Sequence, residues 1–196
     1  RRPAGPPPHP RDPRIAESKV AVATMGKHGD YGMHAVSQRA YLQMLLPDIM
    51  AEVKEGFSIY DLGCADGINS MMIMSAIRKE VSNFTAGFVD VPENDWDTAH
   101  FILGSQMDRL GPDTGFLAAP QSAFSFIGEG GGAAGALIAG DFYKQVAPDA
   151  TYDVGFSGTS VHLLSDGAPA TRRAVAARDW LSFLQQRARE LRPGGS

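Results

Sequence analysis

The stretch YDLGCADGINS, Tyr60 to Ser70, follows an apolar run and crowds two glycines and two carboxylates into the point where an extended segment gives way to a helix. A strand that turns directly into a helix must be returned by that helix to the start of another strand, so repetition of the pattern commits a chain to a parallel sheet. The pattern repeats. FSIYDLG reads as a strand, with a helix near Asn69 to Val81; FTAGFVD reads as a second strand, and DWDTAHFILGSQMDRLG as the helix after it. ALIAGDFY and YDVGFSG read as third and fourth strands, and ATRRAVAARDWLSFLQQRAREL as the longest helix, stopped by RPGG. Ahead of them, AVSQRAYLQMLLPDIMAEV has a helical apolar stripe of Tyr41, Met44, Leu45, Ile49 and Val53, which Pro47 is expected to bend or split. The run GEGGGAAG reads as a loop, and Trp180 and Phe183 as core. The expected fold is α/β, a parallel sheet with helices on both faces.

Composition narrows the function classes. The 196 residues suit one domain, and a net charge of −4 without any basic stripe argues against nucleic acid as the main partner. Cys64 is the single cysteine, so no internal disulfide can form and a reducing, cytoplasmic setting is expected. No apolar run approaches the ~20 residues a membrane-spanning helix needs, so no membrane partner is expected. Residues 1–24 begin with RRPAGPPPHPRDPR, which cannot bury enough surface to offset its ordering entropy and is read as disordered.

In a parallel α/β sheet the ligand sits beyond the C-terminal ends of the strands. Asp61 to Gly67 lies there. Gly63 and Gly67 permit left-handed backbone and close approach, and Asp90, ending the second strand, is placed to hold the two hydroxyls of a ribose. The turn lacks the spacing and the lysine of a phosphate cradle, and Asp61 and Asp66 would repel a pyrophosphate. A nucleoside that also carries a positive centre, such as S-adenosylmethionine, suits these acids better. The alternative is a plain tight turn with Asp66 in solvent. No metal arrangement is recognisable, and Cys64 has nothing nearby to lower its pKa and make it a nucleophile.

Five segments, in order, resemble the SABATH family of small-molecule carboxyl methyltransferases: DYGMHAVSQRAY, DLGCADGINS, VDVPENDW, AGDFYKQVAPDATYDVGFSGTSVHLLS and FLQQRARELRPGG, together spanning Tyr31 to Gly195. The resemblance implies a Rossmann-like S-adenosylmethionine-dependent methyltransferase sheet. It also implies that 25–54 gates substrate and cofactor, that 55–196 is a partial core, and that the last strands and a helical cap lie beyond the C-terminus. By position, Tyr31, Asp61, Gly63, Cys64, Asn69, Asp90 and Val91 would line the cofactor, with Asp141 and Phe142 at its adenine end. Gln38 would donate to the substrate carboxylate, and Thr159, His162 and Leu163 would shape the acceptor pocket. The implied activity is methyl transfer to the carboxylate of a small acid, with a homodimer as in some relatives.

A carboxylic acid with a pKa near ~4 is already ionised at neutral pH, so no catalytic base is assigned; alignment and exclusion of water do the work. Thr159 stands where the family has an aromatic and Leu163 where it has Trp, which enlarges the pocket and favours an aliphatic or bulkier acid over salicylate or benzoate. Ala35 and Asp141 each replace a serine of the family pattern. N-methylation of a ring nitrogen, as in caffeine-type relatives, and a truncated non-catalytic nucleotide-binding remnant are the alternatives.

Overall fold

A computed structural model describes residues 35–103, 133–165 and 171–196, without the side chains of residues 101, 133 and 134. Tyr31 and the segment 1–24 lie outside the described residues. In chain order the elements are α1 (Val36–Ala51), β1 (Phe57–Leu62), α2 (Ile68–Glu80), β2 (Phe84–Asp90), α3 (Trp96–Leu103), β3 (Ala133–Ala139), β4 (Val154–Phe156) and α4 (Arg172–Glu190).

The four described strands form one sheet in the order β3-β2-β1-β4, and every pairing is parallel. The chain winds outward from β1 to β3 and then returns to add β4 on the other side. That reversal puts a topological switch point between β1 and β4, where an open parallel sheet forms a crevice.

Strand alternation sends successive side chains to opposite faces, and β1 is buried on both. Phe57 and Ile59, with Phe84, Ala86 and Phe88 of β2, pack against Leu42 and Ile49 of α1, Met71 and Met74 of α2, and Ile102 and Leu103 of α3. Tyr60, Leu62 and Val89 face the other way, against Tyr152 and Phe183 of α4. Helices thus cover both faces. On the α4 face the rings of Tyr60 and Tyr152 stack, 4.2 Å between centroids. Tyr60 is flanked in register by Gly87 and Gly155, and a Cβ at Gly155 would lie 2.4 Å from the Tyr60 ring. Glycines here make room for an aromatic layer, not for a turn.

Four expectations change. Pro47 neither splits nor ends α1, which runs unbroken from Val36 to Ala51; a mid-helix proline costs a hydrogen bond, and packing through Leu42 and Ile49 holds the helix across it. Tyr41 and Met44 are exposed, because α1 touches the sheet through a narrower stripe than its apolar content would fill. β3 begins at Ala133, inside the glycine run, because its ladder to Phe84–Asp90 is made by backbone and needs no side chain. Trp180 is 52% exposed while Phe183 is buried, so α4 turns only one of the pair inward.

Candidate functional site

The turn after β1 is held by backbone contacts from two directions. The N–H groups of Gly63 and Cys64 donate to the Val89 carbonyl at 2.8 and 3.0 Å, folding the turn over the end of β2. Gly63 and Gly67 adopt φ of 92° and 81°, the left-handed region where glycine is favoured. A Cβ at Gly63 would fall 1.9 Å from Ser160 Oγ, and one at Gly67 2.7 Å from Leu103. The left-handed backbone is as the sequence led one to expect, but the close neighbours at both positions are the chain's own side chains, Ser160 and Leu103. Between them Ala65 is also left-handed, at φ 50°. Its N–H donates to Asp90 Oδ2 at 2.7 Å and its carbonyl accepts from Asn94 Nδ2 at 2.8 Å.

Asp61 points from the end of β1 beneath this turn, 4% exposed. Ser70 Oγ donates to its Oδ2 at 2.5 Å. Burial pushes the Asp61 pKa up to about 7; the Ser70 hydrogen bond opposes the shift and the charge of Asp90 adds to it. Burial also raises Asp90, against the pull of the Ala65 and Val91 N–H groups that its two oxygens accept. Cys64 is buried and its thiol is pushed well up, so it remains protonated. Asp66 is buried too, not solvated: its carboxylate caps the turn by accepting the Ile68 N–H at 3.1 Å.

These groups meet in a cleft at the switch point, lined by Gln38 and Leu42 of α1, by Asp61, Gly63, Cys64, Ala65 and Asn69, and by Gly158 and Thr159 after β4. Six residues singled out from the sequence thus converge: Gln38, Asp61, Gly63, Cys64, Asn69 and Thr159. The cleft measures about 20 Å³, room for about one water molecule. Leu42 closes it, packing where a Cβ on Gly158 would lie 3.1 Å away. Asn69 Oδ1 is buried without a hydrogen-bond partner among the described residues.

The remaining residues sit around this cleft rather than in it. Asp90 reaches the turn through the Ala65 N–H and accepts the Val91 N–H at 2.8 Å, and neither Asp90 nor Val91 lines the cleft. Asp141 Oδ1 accepts the Tyr143 N–H at 2.9 Å, and Lys144 lies 3.5 Å from Oδ2. Phe142 is buried against Phe183 and Tyr143, its ring 3.7 Å from the position a Gly63 Cβ would take. The expected acceptor residues are divided. Thr159 lines the narrow cleft, whereas His162 lines a second cavity of about 610 Å³ with Val161, Leu164, Arg172, Arg173, Ala176 and Trp180. Leu163 borders neither; its carbonyl oxygen lies 2.9 Å from Tyr143 Oη.

Ser70, Asn94 and Ser160 shape the site, and the sequence reading did not name them. Ser70, nine residues after Asp61, was within reach of local reasoning about the helix start. Ser160, 97 residues from the Gly63 carbonyl it donates to, was not.

The loganic acid methyltransferase structure with SAH is similar to this chain in fold. The two superpose with a TM-score of 0.54 at 18% identity, over 88% of this chain and 56% of that one. The fold is a Rossmann-like methyltransferase fold. The PH0226 protein from Pyrococcus horikoshii OT3 shares it, with a TM-score of 0.51 at 19% identity over 86% of this chain and 60% of that one. In sequence the chain is 29% identical to methyltransferase LUC1 of a Fusarium species, over 89% of this chain and 50% of that protein. It is 28% identical to indole-3-acetate O-methyltransferase 1 of Oryza sativa subsp. japonica, over 94% of this chain and 57% of that protein. The Arabidopsis thaliana protein of the same name is 27% identical, over 84% and 50%. No protein-family model matches the chain. The chain spans about half the length of the curated relatives it matches. Among the described residues no helix is long and apolar enough to cross a membrane.

Proposed function

We propose that the protein carrying this chain transfers a methyl group from S-adenosylmethionine to the carboxylate of a small organic acid, as a member of the SABATH group. The observation that supports this most is the convergence, at the switch point, of a carboxylate-backed glycine turn with Gln38 and Thr159 from elements far apart in sequence. Two relatives named as indole-3-acetate O-methyltransferases favour a carboxylate acceptor.

The residues present fit such a cofactor in chemistry. Asp61 and Asp90 favour a cationic, ribose-bearing molecule; Asn69 Oδ1 is a buried acceptor in need of a donor; and the backbone at Gly63 to Ala65 can approach a ligand closely. A cleft of about 20 Å³ is too small for a nucleoside, so binding requires α1, with Leu42 and Gln38, to withdraw.

When bound, the cofactor supplies an electrophilic methyl on a sulfonium, whose transfer to a carboxylate oxygen leaves an ester and a neutral thioether. The chain's own residues bind and align. Asp61, once ionised, faces the positive charge; the clamped turn fixes its height above the sheet; Gln38 directs an amide N–H toward the acceptor oxygen. Alignment of this kind is worth ~7–11 kcal/mol, and no residue is assigned as a base. Gly63, Cys64, Val91, Asp141, Phe142 and Tyr31 complete the proposed cofactor surroundings.

Calorimetric titration of the chain with S-adenosylhomocysteine, with circular dichroism as a check on folding, tests the cofactor site. Saturable binding weakened about tenfold or more by Asp90→Ala, which removes the proposed ribose carboxylate, is expected. A folded chain that does not bind sinks the assignment. For the whole protein, a methylated product cleaved by mild base identifies an ester, while a base-stable product identifies N-methylation instead.

A further inference from the structure

The second cavity has a chemistry of its own. It is a wide depression of about 610 Å³, open to solvent on one side. Val161 and Leu164 form one wall, the first turns of α4 the other. Trp180 is half exposed, and its ring stacks on buried Phe183 at 5.6 Å with only 8° between the planes, so the indole is held as a fixed platform. The opposite wall is fixed as well, since Tyr143 Oη lies 2.9 Å from the carbonyl oxygens of both Val161 and Leu163.

Arg172 and Arg173 line this cavity, both exposed, and no carboxylate among the described residues pairs with either. α4 carries two carboxylates, and both are committed elsewhere. Asp179 accepts from the Ser165 N–H and Oγ at 2.7 and 2.8 Å and pairs with Arg178 at 3.1 Å. Glu190 pairs with Arg187 at 2.8 Å. Among the described residues no ion pair engages Arg172 or Arg173.

We propose that this cavity receives the body of the acceptor, and that the acceptor is an acid with a flat apolar body and a second anionic group at its far end, read by Arg172 and Arg173 over Trp180. The inference rests on the methyl-transfer reading, which places the reacting carboxylate by Gln38. Thr159 and Gly158 line that cleft and Val161 and His162 line this one, so the two lie on opposite sides of Ser160. A single carboxylate cannot serve both. Guanidinium groups beside an aromatic ring suit an arene dicarboxylate, through charge-assisted hydrogen bonds at the end and stacking along the body, with Trp180 supplying the flat surface whose loss at Thr159 and Leu163 had pointed away from aromatic acids.

The test is calorimetric titration of the chain with terephthalate and with benzoate, repeated in the Arg172→Gln/Arg173→Gln variant and in Trp180→Leu. S-adenosylhomocysteine is titrated into the same samples. All three substituted side chains are exposed, so the variants should fold. Terephthalate should bind about tenfold more tightly than benzoate at low salt, and the advantage should disappear in the double variant. Trp180→Leu should weaken both ligands by about fivefold and leave S-adenosylhomocysteine binding unchanged. Equal affinity for the two acids, or a preference that survives loss of both arginines, overturns the proposal whether or not the nucleoside binds. If the arginine-dependent preference is present but the folded chain binds no S-adenosylhomocysteine, the acceptor assignment is overturned and an anion site alone remains.

Discussion

The two clefts at the C-terminal rim of the sheet differ in width, in charge and in what they are made of. The one at the β1/β4 switch is narrow, backed by Asp61 and Asp90, and shaped by backbone: two left-handed glycines, a left-handed alanine, and carbonyls and N–H groups exchanged with β2. The one beside α4 is wide, carries two arginines, and is shaped by side chains from two separate elements. Opposite charge sets what each cleft favours, a cationic group beside the carboxylates and an anionic one beside the arginines. Material matters as well. A cleft built from backbone resists change because nearly every substitution strains it, whereas a cleft built from exposed side chains can be re-lined one residue at a time without cost to the core.

Substitution at Gly63 should break this contrast most severely. Gly63→Val puts a branched side chain at φ 92° and into Ser160, and should lower stability by about 3 kcal/mol in urea unfolding while removing nucleoside binding. An equally large loss from Arg172→Val would contradict the distinction.

Asp61→Asn comes next and has a signed pH dependence. Because burial raises the folded-state pKa from 3.8 to about 7, the folded chain keeps a proton between those values that the unfolded chain has lost. Wild-type stability therefore falls as pH rises through that window and levels off above it; Asp61→Asn should remove that fall. A cation in the cleft favours the ionised carboxylate, so S-adenosylmethionine affinity should climb several-fold from about pH 6 to about pH 8 in the wild type and stay flat in the variant. An unchanged profile in Asp61→Asn would assign the titration to another group.

Asn94→Ala should have the smallest effect. It removes one hydrogen bond to the Ala65 carbonyl and should cost about 1 kcal/mol, with a modest loss of nucleoside affinity. A null effect on affinity would mean that Asp90 and the Val89 carbonyl hold the turn without Asn94.

Legibility from sequence follows the same division. The turn in the backbone-built cleft was readable because its parts are contiguous: strand, glycines, acids and helix occur within Tyr60 to Ser70, and left-handed backbone is a local property of glycine, whereas Gln38 and Thr159 reach the same cleft from far along the chain and came only from the family resemblance. The parallel sheet was readable for a similar reason, since helix and strand alternate in the chain. The side-chain-built cleft was not. Whether Trp180 or Phe183 faces inward depends on the rotation of α4 against Tyr60 and Phe142, which no periodicity within the helix settles when both residues are aromatic. His162 and Thr159, three residues apart, fall on opposite sides of Ser160 because Ser160 tucks into the space that Gly63 leaves open, a contact between positions 97 apart. Tyr41 and Met44 misled for a different reason. They belong to an apolar helix whose buried stripe is narrower than its composition.

The attachment of α4 has a mechanical consequence. Near its C-terminus Arg187 donates to the carbonyls of Phe142 and Lys144, Glu190 accepts from the N–H groups of Val146 and Ala147, and the two pair with each other. Midway, Asp179 is tied to Ser165. At its start Thr171 makes no capping hydrogen bond to the helix, and the first turn carries no acidic side chain to favour its exposed N–H groups. α4 is thus pinned along its length, near its C-terminus by Arg187 and Glu190, midway by Asp179 and in its first turn by buried Val175, so Arg172 and Arg173 project from a backbone that is itself held. An anion met at that end would therefore be fitted by the reach of the two arginine stems rather than by movement of the helix.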